Sequence, residues 1–256
     1  QRALEANPDA RLVALVSPSY SGVSSDLAGI AEVAHRYGVP VYVDEAWGPH
    51  FHFHPGFPAS AMASGIDGAV ASTHKALAAF TQSAVLNVQG DLLNMPRLHT
   101  TVGMSQTTSP AAYILASIDA ARSQMVLQGR AMLERTLEMA HGARERLRKI
   151  PGVRIVDGET LGVTRYDPTK FIIDVAGMGI TGFEAEHALR HRFHINPEAS
   201  DLVSIVCFFT VGDSQETIDR LICAMETLGT ENRGKPPIET NLRSSGSIIR
   251  PGIQVM

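Results

Sequence analysis

The sequence predicts an α/β protein, with a mostly parallel sheet carrying helices on both faces and a second, smaller α/β unit behind it. Three features predict this. Short apolar runs alternate with amphipathic stretches through the first third of the chain, the spacing of βαβ units. A helical pattern then runs from Ser109-Pro110 to about Ile150. Strand and helix patterns alternate again beyond it.

The composition suits such a fold. The 256 residues are 44% apolar and 19% charged, as in globular proteins that bury a sizeable core. A net charge of −4 gives no electrostatic footprint for nucleic acid. No apolar run approaches the roughly 18 residues that read as a membrane span. Cys207 and Cys223 have neither metal spacing nor the look of a disulfide framework, and read as buried thiols in a reducing, cytoplasmic compartment. The chain opens on Gln1 without a signal peptide and stops within "SGSIIRPGIQVM", so it reads as a piece of a longer protein.

The elements follow in order. "RLVALVS" (11–17) is a buried strand. "SSDLAGIAEVAHRYG" has a Ser/Asp start signal, Leu27, Ile30, Val33 and Ala34 at helical spacing, and Gly38 as its stop. "VPVYVDEA" is the next strand, "PASAMASG" (58–65) a short helix with proline near its start, and "DGAVAST" (67–73) a third strand. "SAVLNV" (83–88) adds a fourth. The long helix from Ser109 ends in "ARERLRK", where positive charge suits the helix dipole, and Gly129 or Gly142 offers a break. "PGVRIVDG" opens a new unit, in which "TKFIIDVAG" and "LVSIVCFFTVG" read as strands and "TGFEAEHALRHRF" and "SQETIDRLICAMETLG" as helices. "TENRGKPPIETNLRSSG" reads as a polar linker.

One pair of residues carries chemistry. In open parallel sheets ligands bind at the carboxyl ends of strands. Asp44 ends one predicted strand and Lys75 follows the next, 75 − 44 = 31 residues on, which is one β-α-β step to the same sheet edge. Most lysines beside apolar runs keep the ammonium in water, and a lone strand-end aspartate reads as a cap. Together in this setting they suit pyridoxal phosphate. A desolvated lysine forms a Schiff base with the aldehyde, and an aspartate keeps the pyridine nitrogen protonated so that the ring accepts electrons. Ser72, three residues before the lysine, offers a hydroxyl to the phosphate.

Five segments, "SPSYSG", "VYVDEAWGPHFHFHP", "STHKALAAFTQSAVLNV", "TTSPAAYILASIDAAR" and "DPTKFIIDVAGMGITGFEAE", together resemble the Orn/Lys/Arg decarboxylases, in order from about residue 10 to 230. These are bacterial pyridoxal-phosphate enzymes with the aspartate-aminotransferase type of fold (fold type I). The resemblance implies decarboxylation of arginine, lysine or ornithine to the amine and CO2. An aminotransferase or lyase of the same fold, or a non-catalytic relative, is the alternative. It makes Lys75 the Schiff-base lysine and Asp44 the partner of the ring nitrogen. It packs Ala46 on one ring face, sets Ser72 and His74 on the phosphate, and makes His74 a proton donor. Ser19 would lie near the ring oxygen and Trp47 near the substrate, while Thr108 and Ser109 would reach the phosphate of a neighbouring subunit in a homodimer or higher even homo-oligomer. Residues 1–108 would be the C-terminal half of the cofactor-binding large domain and 109–150 a connecting helix. Residues 151–230 would be the small domain, and 231–256 a linker and the start of a C-terminal region. The family's Gly-Ser/Thr phosphate loop and ring-stacking histidine would precede Gln1.

Other candidates read as structural. His50, His52 and His54 would share one face if extended, but no carboxylate or cysteine joins them at ligand spacing, so no metal site is expected. Asp174 and Glu184 read as caps, and "GMGITG" (177–182) as a turn rather than a phosphate loop.

Overall fold

The computed structural model describes residues 1–239 and divides them into two compact units. The first comprises Gln1–Tyr20 and Ser24–Arg130, the second Ser21–Val23 and the chain from Ala131 onward.

In the first unit, helix α1 (Arg2–Ala6) precedes strand β1 (Val13–Val16). Helix α2 (Leu27–Arg36) starts where the Asp26 carboxylate accepts the Gly29 N–H, and Leu27, Ala31 and Ala34 form its buried stripe. Strands β2 (Val41–Asp44), β3 (Gly68–Ala71) and β4 (Val85–Val88) complete a sheet of order β1-β2-β3-β4. The first three strands run parallel, and β4 pairs antiparallel to β3. Val41, Val43 and Ala69 are fully buried in one cluster with the α2 stripe. Tyr42 and Asp44 alternate to the opposite, half-buried face. Helices α3 (Thr73–Ala76) and α4 (Met95–Ser105) follow.

The 58–65 helix is reduced to a single 3-10 turn, Met62–Ser64. Gly65 stops it in the left-handed region at φ 78, and the Ala61 N–H at its start donates to the Glu45 carboxylate. The "HFHFH" run is not extended: Phe51–Phe53 is a 3-10 turn, so the three histidines do not share a face. Among the described residues no cluster of three metal-ligating side chains occurs. Nor is any helix long and apolar enough to cross a membrane. Helix α4 has no apolar stripe to announce it and buries none of its residues; Asn94 caps it and Pro96 sits in its first turn.

Helix α5 (Ala112–Leu147) is continuous through Gly129 and Gly142. A Cβ at Gly129 would stand 2.9 Å from the Met125 side chain, so that glycine marks tight packing rather than a break.

In the second unit, strands β5 (Arg154–Val156), β6 (Lys170–Asp174), β7 (Ala199–Ser200) and β8 (Ser204–Phe208) form an antiparallel sheet of order β5-β6-β8-β7. Helix α6 (Gly158–Leu161) is capped by Asp157. Helices α7 (Gly182–Arg192) and α8 (Gln215–Glu231) each begin in a capping box, so Glu184 is a cap of α7. Asp174 accepts the Ala176 N–H and pairs with Arg154. "GMGITG" runs through a 3-10 turn into the α7 cap. The core joins Leu147, Phe171, Ile173, Leu189, Ile205, Ile222 and Met225, all fully buried. Gly152 and Gly177 meet backbone to backbone: a Cβ on Gly152 would fall 2.6 Å from the Gly177 carbonyl carbon. Cys207 is buried, which pushes its thiol up to about 12, but Cys223 is exposed on α8 rather than buried. It falls on the outer side of a helix whose stripe is Ile218, Leu221, Ile222 and Met225. Of the expected 231–256 linker, residues 240–256 lie outside the described residues.

Candidate active site

Three segments meet at the carboxyl edge of the parallel strands of the first unit. Ser17 leaves β1 by donating its N–H to the Asp44 carbonyl at 3.0 Å. Glu45 leaves β2 by donating its N–H to the Val70 carbonyl at 2.8 Å. The chain after β3 turns at Ser72 into α3. Ser19, Asp44–Trp47 and Ser72–Lys75 are therefore brought to one rim by the register Val16↔Asp44↔Val70.

Asp44 is half-buried, and its Oδ1 accepts the Ala46 N–H at 3.0 Å, an Asx turn that aims the carboxylate along the rim. Tyr42, two residues back on the same face, has its hydroxyl pKa raised, first by burial and then by the Asp44 charge. Gly48 closes the turn with an N–H to the Glu45 carbonyl at 2.8 Å. Any side chain at Gly48 would run into Glu45, Pro18 and Phe51.

Lys75 is half-buried rather than sunk in an apolar wall. Thr73 and Ala76 occupy the inward side of the short α3, so His74 and Lys75 stand on its outer side. Its Nζ lies 4.5 Å from the Trp47 ring centroid, a cation–π contact. The edge of Tyr20 meets the same indole, with ring centroids 5.3 Å apart. His74 Nδ1 lies 2.7 Å from the Ser83 carbonyl. A carbonyl can only accept, so Nδ1 carries the hydrogen and Nε2 remains for chemistry.

Thr108 and Ser109 are not part of this rim. Both are exposed between α4 and α5, and the Ser109 N–H donates to Thr107 Oγ1 at 3.2 Å. Three other residues belong to the site's surroundings. Tyr20 supports Trp47. Thr73 is buried, with no hydrogen-bond partner for Oγ1. Glu45 is 1% exposed beneath the Asp44 turn. Glu45 was legible as the middle of D-E-A; the other two gave no signal beyond adjacency to the motifs.

A mixed α/β fold with a mostly parallel sheet, followed in the chain by a long helix and an antiparallel sheet, is an aminotransferase-like fold. The fold is found in the lysine decarboxylase of Francisella novicida, with TM-score 0.72 and 22% identity over 86% of this chain and 36% of that one. It is found also in the alanine–glyoxylate aminotransferase of Nostoc, with TM-score 0.67 and 19% identity over 89% of this chain and 63% of that one. Residues 1–217 match the Orn/Lys/Arg decarboxylase major domain, and the chain belongs to that family. Among curated relatives, an arginine decarboxylase of Bacillus subtilis is 44% identical over 234 residues, 90% of this chain and 48% of the relative. One from Halalkalibacterium halodurans is 42% identical over 231 residues, 89% of this chain and 47% of the relative. The chain thus spans about half the length of the curated relatives it matches.

Proposed function

We propose that this chain holds the lysine-bearing half of a pyridoxal-phosphate-dependent decarboxylase of a basic amino acid, with arginine as its substrate. The observation that carries the reading is the convergence of Asp44 and Lys75 at the ends of neighbouring parallel strands, with the Trp47 ring 4.5 Å from Nζ. The donor set suits the cofactor: a primary amine for its aldehyde, a carboxylate for its ring nitrogen, and the Ser72 hydroxyl and His74 imidazole for its phosphate. Ala46 offers a small surface to a flat ring, and Ser19 a hydroxyl to its oxygen. Arginine is favoured because the arginine decarboxylases named above match nearly the whole chain.

When bound, the cofactor supplies the electron sink that lets the bond between Cα and the substrate carboxylate break. The chain's own residues do the rest. Asp44 would face the ring nitrogen and favour its protonated form. Lys75 would hold the cofactor through its primary amine. His74, whose Nδ1–H is held by Ser83, could deliver a proton to Cα from Nε2 in its imidazolium form, with Lys75 Nζ the alternative donor. Residues 1–108 belong to the cofactor-binding domain, 109–150 to the connecting helix and 151–230 to the small domain. Thr108 and Ser109, exposed between two helices, reach toward the cofactor phosphate of a second copy, so the working unit is a homodimer or a higher even homo-oligomer.

The test is borohydride reduction of the cofactor-loaded protein followed by peptide mapping, with arginine, lysine and ornithine assayed for CO2 and amine. Label on Lys75, lost in Lys75→Ala together with CO2 release, is expected. Label on another lysine would overturn the site, and transfer of the amino group to a keto acid without CO2 would make the protein an aminotransferase.

A further inference from the structure

Behind the Asp44–Trp47 turn sits a carboxyl group that the reaction above does not use. Side chains alternate along β2, so Glu45 points away from Asp44, back toward the Val43 face, and is 1% exposed. Its Oε1 accepts the Ala61 N–H at 2.7 Å. Its Oε2 is buried without a hydrogen-bond partner, 3.8 Å from His52 Nε2. The backbone of Glu45 closes the site turn, through its N–H to Val70 and its carbonyl to Gly48. A Cβ at Gly48 would stand 2.8 Å from Glu45 Cγ, so the side chain and the turn have no slack between them.

We propose that Glu45 is a positioning residue: paired with His52, it sets the conformation of the Asp44–Trp47 turn according to its own protonation. The conformational claim stands on the turn alone, and its consequence for turnover rests on the proposed roles of Asp44 and Trp47. Protonated, the carboxyl accepts from Ala61 and leaves His52 in place. Ionised, Oε2 carries a charge without a donor, and His52 Nε2 is the ring nitrogen beside it. Closing 3.8 Å to the roughly 2.8 Å of a charge-assisted bond draws the Phe51–Phe53 turn toward β2. Burial raises the Glu45 pKa to about 7, opposed by the Ala61 N–H, and lowers that of His52. The change therefore falls near neutrality. The other titratable groups around the pair are Tyr42 and Asp44 on β2, His50 and His54 flanking His52, and Lys75 against Trp47. Arg122 joins His52 in lining a cavity of about 330 Å³. The Met62–Ser64 turn behind Ala61 has no titratable side chain.

Trp47 is the chain's one tryptophan and lies two residues from Glu45, so its fluorescence reads the turn without reference to catalysis. Scanned from about pH 5.5 to pH 8.5, a window that brackets an ordinary histidine as well, emission should follow one transition with a midpoint near 7. Glu45→Gln should abolish it and His52→Gln should reduce its amplitude. A transition that persists in Glu45→Gln belongs to a histidine and overturns the proposal, as does a flat wild-type signal. In the cofactor-loaded protein, kcat should fall above the midpoint by about ten- to a hundredfold, the order expected for an ångström of misplacement, with KM unchanged and the limb absent from Glu45→Gln. A fluorescence transition with no effect on kcat would leave the positioning pair standing and overturn the roles assigned to Asp44 and Trp47.

Discussion

Glu45→Gln should make the folded chain more stable above neutral pH and flatten its dependence on pH. The Glu45 side chain is 1% exposed, and burial lifts its pKa from 4.5 to about 7. Between those values the folded chain holds a proton that the unfolded chain has released. Where the folded state binds more protons, stability falls as pH rises. The fall begins near 4.5 and is complete a little above 7. The difference, 7 − 4.5, is about 2.5 units, and at about 1.4 kcal/mol per unit the loss is about 3 kcal/mol. Glutamine keeps a carbonyl for the Ala61 N–H and cannot ionise, so it removes the loss while retaining the anchor. Urea unfolding of both proteins at pH 5 and pH 8 is the assay. Wild type should lose about 2.5 kcal/mol relative to Glu45→Gln between the two conditions, the part of the fall that lies above pH 5. A difference between the proteins that stays the same at both pH values would refute the reasoning, because a buried neutral carboxyl must respond.

Asp44→Asn should leave the fold and cofactor binding measurable, since the amide carbonyl can still accept the Ala46 N–H, yet cut turnover by orders of magnitude; near-normal turnover would contradict the role. Asp157→Ala should cost about 3–5 kcal/mol, read as a lowered thermal midpoint, because it strips the buried Arg144 and the exposed Arg148 of a shared carboxylate and removes the α6 cap. Asp157→Asn, which keeps the cap, should lose less. A thiol reagent should label Cys223 in the folded chain and reach Cys207 only on unfolding, since the latter is buried with its thiol pushed up to about 12; equal rates would be the contrary result.

Much of this was legible in the sequence because its causes are local. Alternation, caps and glycine stops marked β1, α2, β2, β3, α7 and α8, and the spacing from Asp44 to Lys75 put both at one sheet edge. Elements without such signals were not legible. Helix α4 buries no residue, so no apolar stripe announced it. The 58–65 helix was overestimated because so short a stretch does not nucleate more than the one turn that Gly65 ends. Gly129 and Gly142 looked like breaks in α5, yet the helix runs through both.

At the site the division is sharper. The sequence by itself determined which residues would stand at the strand ends, because strand length and connection length decide the edge to which a side chain returns. Only the tertiary structure decided their surroundings. It set Trp47 against the Lys75 ammonium, left Lys75 half-buried, held His74 through Ser83, and put a buried carboxyl behind Asp44. Burial and pKa depend on which atoms from remote segments fill the space around a group. Glu45 and Asp44 are neighbours in the chain, yet the pleat sends one to the rim and the other into the core.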